Sequence, residues 1–424
     1  MQKQSISLTT AILMNINIMV GSGILIGPGQ IAKIAGNASF LAWPIAAFFL
    51  LPIVMSTVQL SKMFPGAGGF YSYAKEGLSQ GFGFIAGWLY IVGYTFGTTL
   101  EVLALKQALL VAVGDVWPFN AHIPFTMLCV GLIMVINSLG VRVLSNFLNA
   151  MTLIKLLPII TLIISIPLFL KGNFSVTATE ISLLPAALTF PLFGLLGFEY
   201  CSSISHLIKD SQKNAPRAIL FGFLITVALY TLFNFGLLHV MGVDALRQFG
   251  ASAFVGYMGI SMPLIKVLFT AFITGASVLT LFAGATGMFY ANTTLLHTLA
   301  EQRVLRGAAI LETLNAAGRP WIIIILQGCA SFALAIILPS IAWMGGLTNL
   351  CVFASFVLPF VSLLIMQRRQ NKSILLTALA IIAILFLTLY TWYTMGDTVL
   401  SRGVSLVPAL IWLVCGFGIY RRKR

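Results

Sequence analysis

This sequence predicts an all-α, polytopic membrane protein with twelve transmembrane helices. Three observations carry that reading. The 424-residue chain is 59% hydrophobic and only 8% charged, too little charge to disperse a soluble protein of this length. Its apolar runs reach the roughly 20 residues that one bilayer crossing needs, and they are too numerous for a single globular core. Two glycine-rich interruptions, Gly21-Ser22-Gly23 and Gly194 to Gly197, lie inside such runs in corresponding halves of the chain. In hydrocarbon no water satisfies the peptide groups, so an interruption must line a cavity or a ligand. A matched pair points to the binding site of a secondary transporter.

The spans are expected at 10–33, 38–61, 83–113, 123–141, 146–170, 184–206, 217–241, 261–299, 321–340, 345–366, 373–395 and 403–420. The first follows Lys3 as a secretory signal would, but no small-residue cleavage site closes it and more spans follow, so it reads as a retained helix. The third and eighth exceed one bilayer thickness and are expected to tilt or project. Interrupted spans one and six open two units of five helices, 1–170 and 184–366. An odd number of helices per unit gives the two opposite orientations, an inverted repeat, and leaves 373–420 as two peripheral helices. The chain is thus one transmembrane domain over 1–424.

Orientation follows from the lysines and arginines in alternate loops. With the N-terminus inside, the inner set is Lys3, Lys62, Lys75, Arg142, Lys209, Lys213, Arg217, Arg303, Arg306, Arg319, Arg368, Arg369, Lys372 and Arg421-Arg422-Lys423-Arg424. The outer set is Lys33, Lys171, Arg247 and Arg402. Both termini are therefore expected in the cytoplasm, with the protein in the inner or plasma membrane. The formal net charge of +14 is spread over these small clusters rather than along a basic stripe, which argues against nucleic acid. Cys129, Cys201, Cys329, Cys351 and Cys415 are isolated in apolar runs and the four histidines are scattered, so neither a disulfide framework, a metal site nor a cofactor is expected. The soluble loops are too short for a catalytic domain, which argues against an enzyme.

At the first interruption one half-helix is expected to end near Val20 and the next to begin near Ile24. The freed N–H groups of Gly21, Ser22, Gly23 and Ile24 suit a carboxylate. The alternative is glycine used for close helix packing; the partner interruption favours the site. In span six the unwound carbonyls about Gly194 and Gly197 suit an ammonium group, and Phe193 suits a cover over a bound side chain. Glu199 is ionisable in apolar surroundings, either a substrate ligand or a local cap on freed N–H groups. Lys155 lies about ten residues inside span five, too deep for easy snorkelling on helix rise alone. Glu101, in the outer half of span three, reads first as a solvated vestibule residue and second as a reader of polar or cationic side chains; five positions separate it from Lys106, on another face. Lys266 in span eight is undecided.

Several stretches, in order, resemble the amino acid–polyamine–organocation transporters. Gly21-Ser22-Gly23-Ile24 looks like that family's first-helix motif, and Pro65-Gly-Ala-Gly-Gly69-Phe-Tyr71-Ser-Tyr73 its loop after span two. Phe193 to Glu199 resembles its sixth helix, and Lys209 to Arg217 its basic loop before span seven. His297 to Glu301 and Ala316 to Pro320 resemble the segments flanking its loop between spans eight and nine. The resemblance implies a five-plus-five inverted repeat, alternating access and an amino acid held between helices one and six. It implies that Gly21, Ser22 and Gly23 bind the substrate carboxylate, and that Phe193, Gly194 and Gly197 supply the ammonium site and aromatic gate. It also implies a coupling or gating role for Lys155, since sodium-independent members carry a lysine ammonium where related sodium symporters bind an ion. Departures are Ser211 for a proline, Glu301-Gln302-Arg303 for an acidic stretch, and Met288 where some members carry a large aromatic in span eight, which argues against an arginine-type substrate.

The function expected is sodium-independent amino acid transport, proton-coupled or by exchange, for neutral hydrophobic substrates, by a monomer or homodimer. A polyamine or basic amino acid antiporter is the alternative, supported by Glu101 and Glu199. A channel would need a repeated filter motif, and a membrane-embedded enzyme would need His, Asp or Cys clustered at one depth.

Overall fold

The computed structural model describes residues 6–117, 120–170, 174–259, 262–396 and 399–421. Lys3, Lys171, Arg422, Lys423 and Arg424, used above as orientation signals, lie outside the described residues, as does the side chain of Lys266. Among the described residues the chain is helical, with isolated β-bridges but no strand.

The first expected span is split into α1 (Leu8–Met19) and α2 (Ser22–Ala35). A 3-10 turn, Gly36–Leu41, leads to α3 (Ala42–Met63), the short α4 (Gly69–Gly77), α5 (Gln80–Val113), α6 (His122–Ser138) and α7 (Val141–Phe169). The short α8 (Ala178–Ser182) leads to the sixth expected span, which is built in pieces: α9 (Leu184–Ala187), α10 (Thr189–Gly194) and α11 (Tyr200–Ser203). Next come α12 (Ser211–Met241), α13 (Val243–Phe249), α14 (Pro263–Glu301) and α15 (Ala308–Leu311). The chain then runs through α16 (Trp321–Ile337), α17 (Ile341–Arg369), α18 (Leu375–Thr394) and α19 (Val399–Ile419).

Among the described residues, seven helical stretches are long and apolar enough to cross a membrane, and four shorter apolar helices accompany them. Phe48, Ile164, Leu168 and Ile337 stand largely exposed on the outside. Water would penalise such a surface, whereas lipid tails match it. The chain is a polytopic membrane protein.

The centre of the bundle is α5, buried through most of residues 83–105 between α14 and α17. A helix apolar on every face belongs in such a place. Its threonines satisfy themselves within the helix: Thr95, Thr98 and Thr99 each donate to the carbonyl four residues back. Asn292 of α14 donates to Ile91 O at 2.9 Å and Gln327 of α16 to Thr95 Oγ1 at 2.9 Å, so buried amides stitch three helices together. α1 packs on α7, α12 and α14, and α10 packs on α2.

One expectation is corrected. The first interruption is shorter than read from sequence: α1 ends at Met19 with Val20 as its cap, near the place expected, but α2 begins at Ser22 rather than near Ile24. Only Val20 and Gly21 are out of helix, and a side chain from α5 accepts from the N–H of Ser22 where the new helix opens.

Candidate functional site

The two interruptions meet. A Cβ added at Gly23 would sit 2.7 Å from Gly194 Cα, so α2 and α10 touch backbone to backbone. At Gly197, where φ is +100°, a Cβ would lie 2.6 Å from Ile18 Cγ2. Both the left-handed backbone and the lack of space require glycine there. Gly21 has a negative φ; its constraint is spatial, since a Cβ would come within 2.6 Å of Glu101 Oε1.

Helix ends leave peptide groups without intrahelical partners. At the C-terminal end of α1, side chains from other helices supply the donors. Lys155 Nζ donates to Asn17 O at 2.7 Å and to Val20 O at 2.6 Å. Tyr230 OH donates to Met19 O at 2.6 Å. At the N-terminal end of α2, Glu101 Oε1 accepts from Ser22 N–H at 3.2 Å and from Ser22 Oγ–H at 3.0 Å. A cation therefore sits on the negative end of one half-helix and an anion on the positive end of the next, the sense the helix dipole favours. Lys155 and Glu101 are each only 1% exposed.

The second interruption is capped partly from within. Residues 195–199 are turns between α10 and α11. Glu199 Oε2 accepts from Gly197 N–H at 3.0 Å, and Oε1 accepts from Tyr94 OH at 2.7 Å. Asn15 of α1 donates to Phe198 O at 2.7 Å and accepts from Cys201 N–H at 3.3 Å, which ties the two interrupted elements together.

A cavity of about 20 Å³ lies between them, room for about one water molecule. Of the residues predicted from sequence, Gly21, Ser22, Gly23, Glu101, Phe193, Gly194, Gly197 and Met288 line it. Glu199 does not; it stands behind Tyr94 and Gly197. Ile24 and Lys155 line a separate, mainly apolar cavity of about 30 Å³ on the side of α7 and α14. Glu101 departs from its first sequence reading. It is no solvated vestibule residue, because burial removes it from water and Ser22 gives it donors instead. Lys106 makes its contact with His122 Nδ1, at 3.4 Å.

Sequence reasoning missed Tyr94, Tyr230, Thr348 and the apolar lining of Ile18, Leu196 and Val352. Tyr94 had a signal. It precedes Glu101 by seven residues, two turns on the same face of α5. Tyr230 and Thr348 had none.

Comparison with known proteins agrees with this architecture. The amino acid permease family matches residues 6–415. The chain is similar to the serine/threonine exchanger SteT of Bacillus subtilis, 25% identical over 99% of this chain and 98% of that protein. It is 24% identical to the branched-chain amino acid permease BcaP of Bacillus subtilis, over 96% of this chain and 90% of that one. The L-methionine/branched-chain amino acid exporter YjeH of Escherichia coli is 26% identical over 54% of each chain. With interrupted helices meeting at one buried cavity and a family match over nearly its whole length, this chain belongs to the amino acid permeases.

Proposed function

We propose that this permease is a sodium-independent secondary carrier of neutral, hydrophobic amino acids, working by alternating access in a proton-coupled or exchange mode. In this reading twelve spans form a five-plus-five inverted repeat with two peripheral helices, and both termini face the cytoplasm. The carboxylate of the amino acid docks at Gly21, Ser22 and Gly23, and the ammonium docks at the turns between Gly194 and Glu199. The observation that supports it most is the contact of Gly23 with Gly194, since it brings a helix N-terminus and a helix C-terminus to one cavity, donors facing acceptors.

The side-chain preference rests on the lining. Ile18, Met19, Phe193, Leu196, Met288 and Val352 surround the space that a substrate side chain would enter. Two relatives with branched-chain or methionine substrates in their names agree with an apolar pocket, and a third, the serine/threonine exchanger, agrees with exchange. Sodium independence rests on Lys155, whose ammonium already occupies the Asn17 and Val20 carbonyls. The cation-carrier alternative is weakened by Glu199, whose two oxygens are taken by Gly197 and Tyr94.

Reconstitution in liposomes tests the reading. Uptake of radiolabelled L-leucine and L-methionine is expected to saturate, to be stereoselective and to persist when choline replaces sodium. A sodium requirement, or polyamine flux indifferent to leucine and methionine, would overturn it.

A further inference from the structure

Glu101 occupies the place that the proposed function gives to the substrate. Its Oε1 holds both donors of Ser22, at 3.2 and 3.0 Å, and it presses on the Cα face of Gly21. Its Oε2 is buried without a hydrogen-bond partner while the residue lines the central cavity. Of the two carboxylate oxygens, this is the one not already engaged by a protein donor, and so the one able to take a proton. Around the carboxylate, α7 presents Lys155 and α12 presents Tyr230, both bound to carbonyls of the interruption. On its own helix lies Tyr94, bound to Glu199. α14 faces it with Gly284, where even an added Cβ would stay 3.6 Å from Glu101 Cδ, and α17 lines the cavity with Thr348 and Val352. Lys155 is thus the one cation facing this site among the described residues, and its ammonium is committed to the α1 carbonyls.

We propose that Glu101 is a proton-accepting stand-in for the substrate carboxylate, displaced from Ser22 when an amino acid docks and protonated in the same event. The inference rests on the docking pose proposed above and deepens it. An incoming carboxylate needs the N–H and hydroxyl that Glu101 holds. Two ionised carboxylates side by side in a buried site repel strongly, and such pairs keep a shared proton instead. The balance is simple. One proton from bulk water bonds to Glu101 Oε2, Ser22 transfers its two hydrogen bonds to the substrate, and the Glu101 O–H donates to the substrate carboxylate. No other bond forms or breaks. The net charge of Glu101, Lys155 and substrate carboxylate after docking equals that of Glu101 and Lys155 before it. A neutral amino acid then carries one proton with it, taken up at the substrate site itself rather than at Lys155.

Calorimetry of L-leucine binding to the purified full chain, in two buffers of different ionisation enthalpy, measures the proton directly. Wild type is expected to take up close to one proton per leucine at mildly alkaline pH, with affinity falling by up to about tenfold per pH unit there. Glu101→Gln keeps an oxygen for Ser22 and an N–H for the substrate; it should bind leucine with no proton uptake and a flat pH profile. Isopentylamine, which lacks the carboxylate, should drive no uptake in wild type. Leucine binding to wild type without proton uptake overturns the inference and leaves the transport reading standing. Equal proton uptake by Glu101→Gln also overturns it, assigning the proton to another group. If leucine, methionine and serine all fail to bind wild type, the docking pose falls and this inference with it. The wild-type measurement decides the matter even if the variant does not fold.

Discussion

The two helix interruptions solve one physical problem in opposite ways. Break one is capped by ions and hydroxyls from α5, α7 and α12: Glu101, Lys155 and Tyr230. Break six is capped in part by its own Glu199, two residues from the N–H it receives, and in part by Asn15 of α1, which holds Phe198 O and the Cys201 N–H. A borrowed cap depends on how distant helices are placed, so it changes when they move. A local cap travels with its segment. The first interruption takes its ionic caps entirely from other helices, whereas the second supplies its own carboxylate.

That contrast can be broken at several points. The largest effect is expected at the contact between the breaks. Gly23→Ala puts a methyl 2.7 Å from Gly194 Cα, where only backbone movement can make room. Flux should fall to background with the protein still inserted, while Gly131→Ala, which meets nothing within 4 Å, should transport normally. Next comes Lys155→Met, which strips the Asn17 and Val20 carbonyls of their donor and should cost about 3 kcal/mol, seen as a lower melting temperature, with altered pH dependence of flux. Glu199→Gln retains a carbonyl oxygen for one of its two donors and should cost only about 1–2 kcal/mol. If its flux and stability losses match those of Lys155→Met, the distinction between a borrowed and a local cap fails.

The smallest effect is expected outside the membrane. Glu180 of α8 accepts from Asn37 N–H at 2.7 Å and from Thr177 N–H at 2.8 Å. Partial burial raises its pKa, but these donors and the charge of Arg247 outweigh that and hold it below the ordinary carboxylate value. A carboxyl depressed in the folded state stabilises above its unfolded pKa, and loses that stabilisation as pH falls through the folded value. Melting below about pH 4 should therefore show a loss of a few tenths of a kcal/mol that Glu180→Gln no longer shows.

The helices and their interruptions were legible because hydrophobicity is local. A run of apolar residues with Gly21 or Gly194 to Gly197 inside it announces itself without knowledge of the partners. Lys155 was legible for the same reason: a cation deep in an apolar run needs a purpose. What sequence did not reveal is which face each helix turns inward. α5 is apolar all round, so nothing in its pattern aimed Glu101 at Ser22, 79 residues away, rather than at the vestibule. Tyr230 and Met19 are 211 residues apart, and only packing joins them. The shortened first interruption has the same origin, since the acceptor for the Ser22 N–H comes from another helix.

The touch between Gly23 and Gly194 is not the only fastening on that side. Sixteen positions after Gly21, Asn37 is gripped by Glu180, which belongs to the approach to α10. α2 spans 14 residues, or about 21 Å. A rod pinned at both ends to the same neighbour can neither slide nor tilt alone. α2 and the α8–α10 segment are therefore coupled, and a shift of one alone must give up the Gly23–Gly194 touch or the Asn37–Glu180 bond.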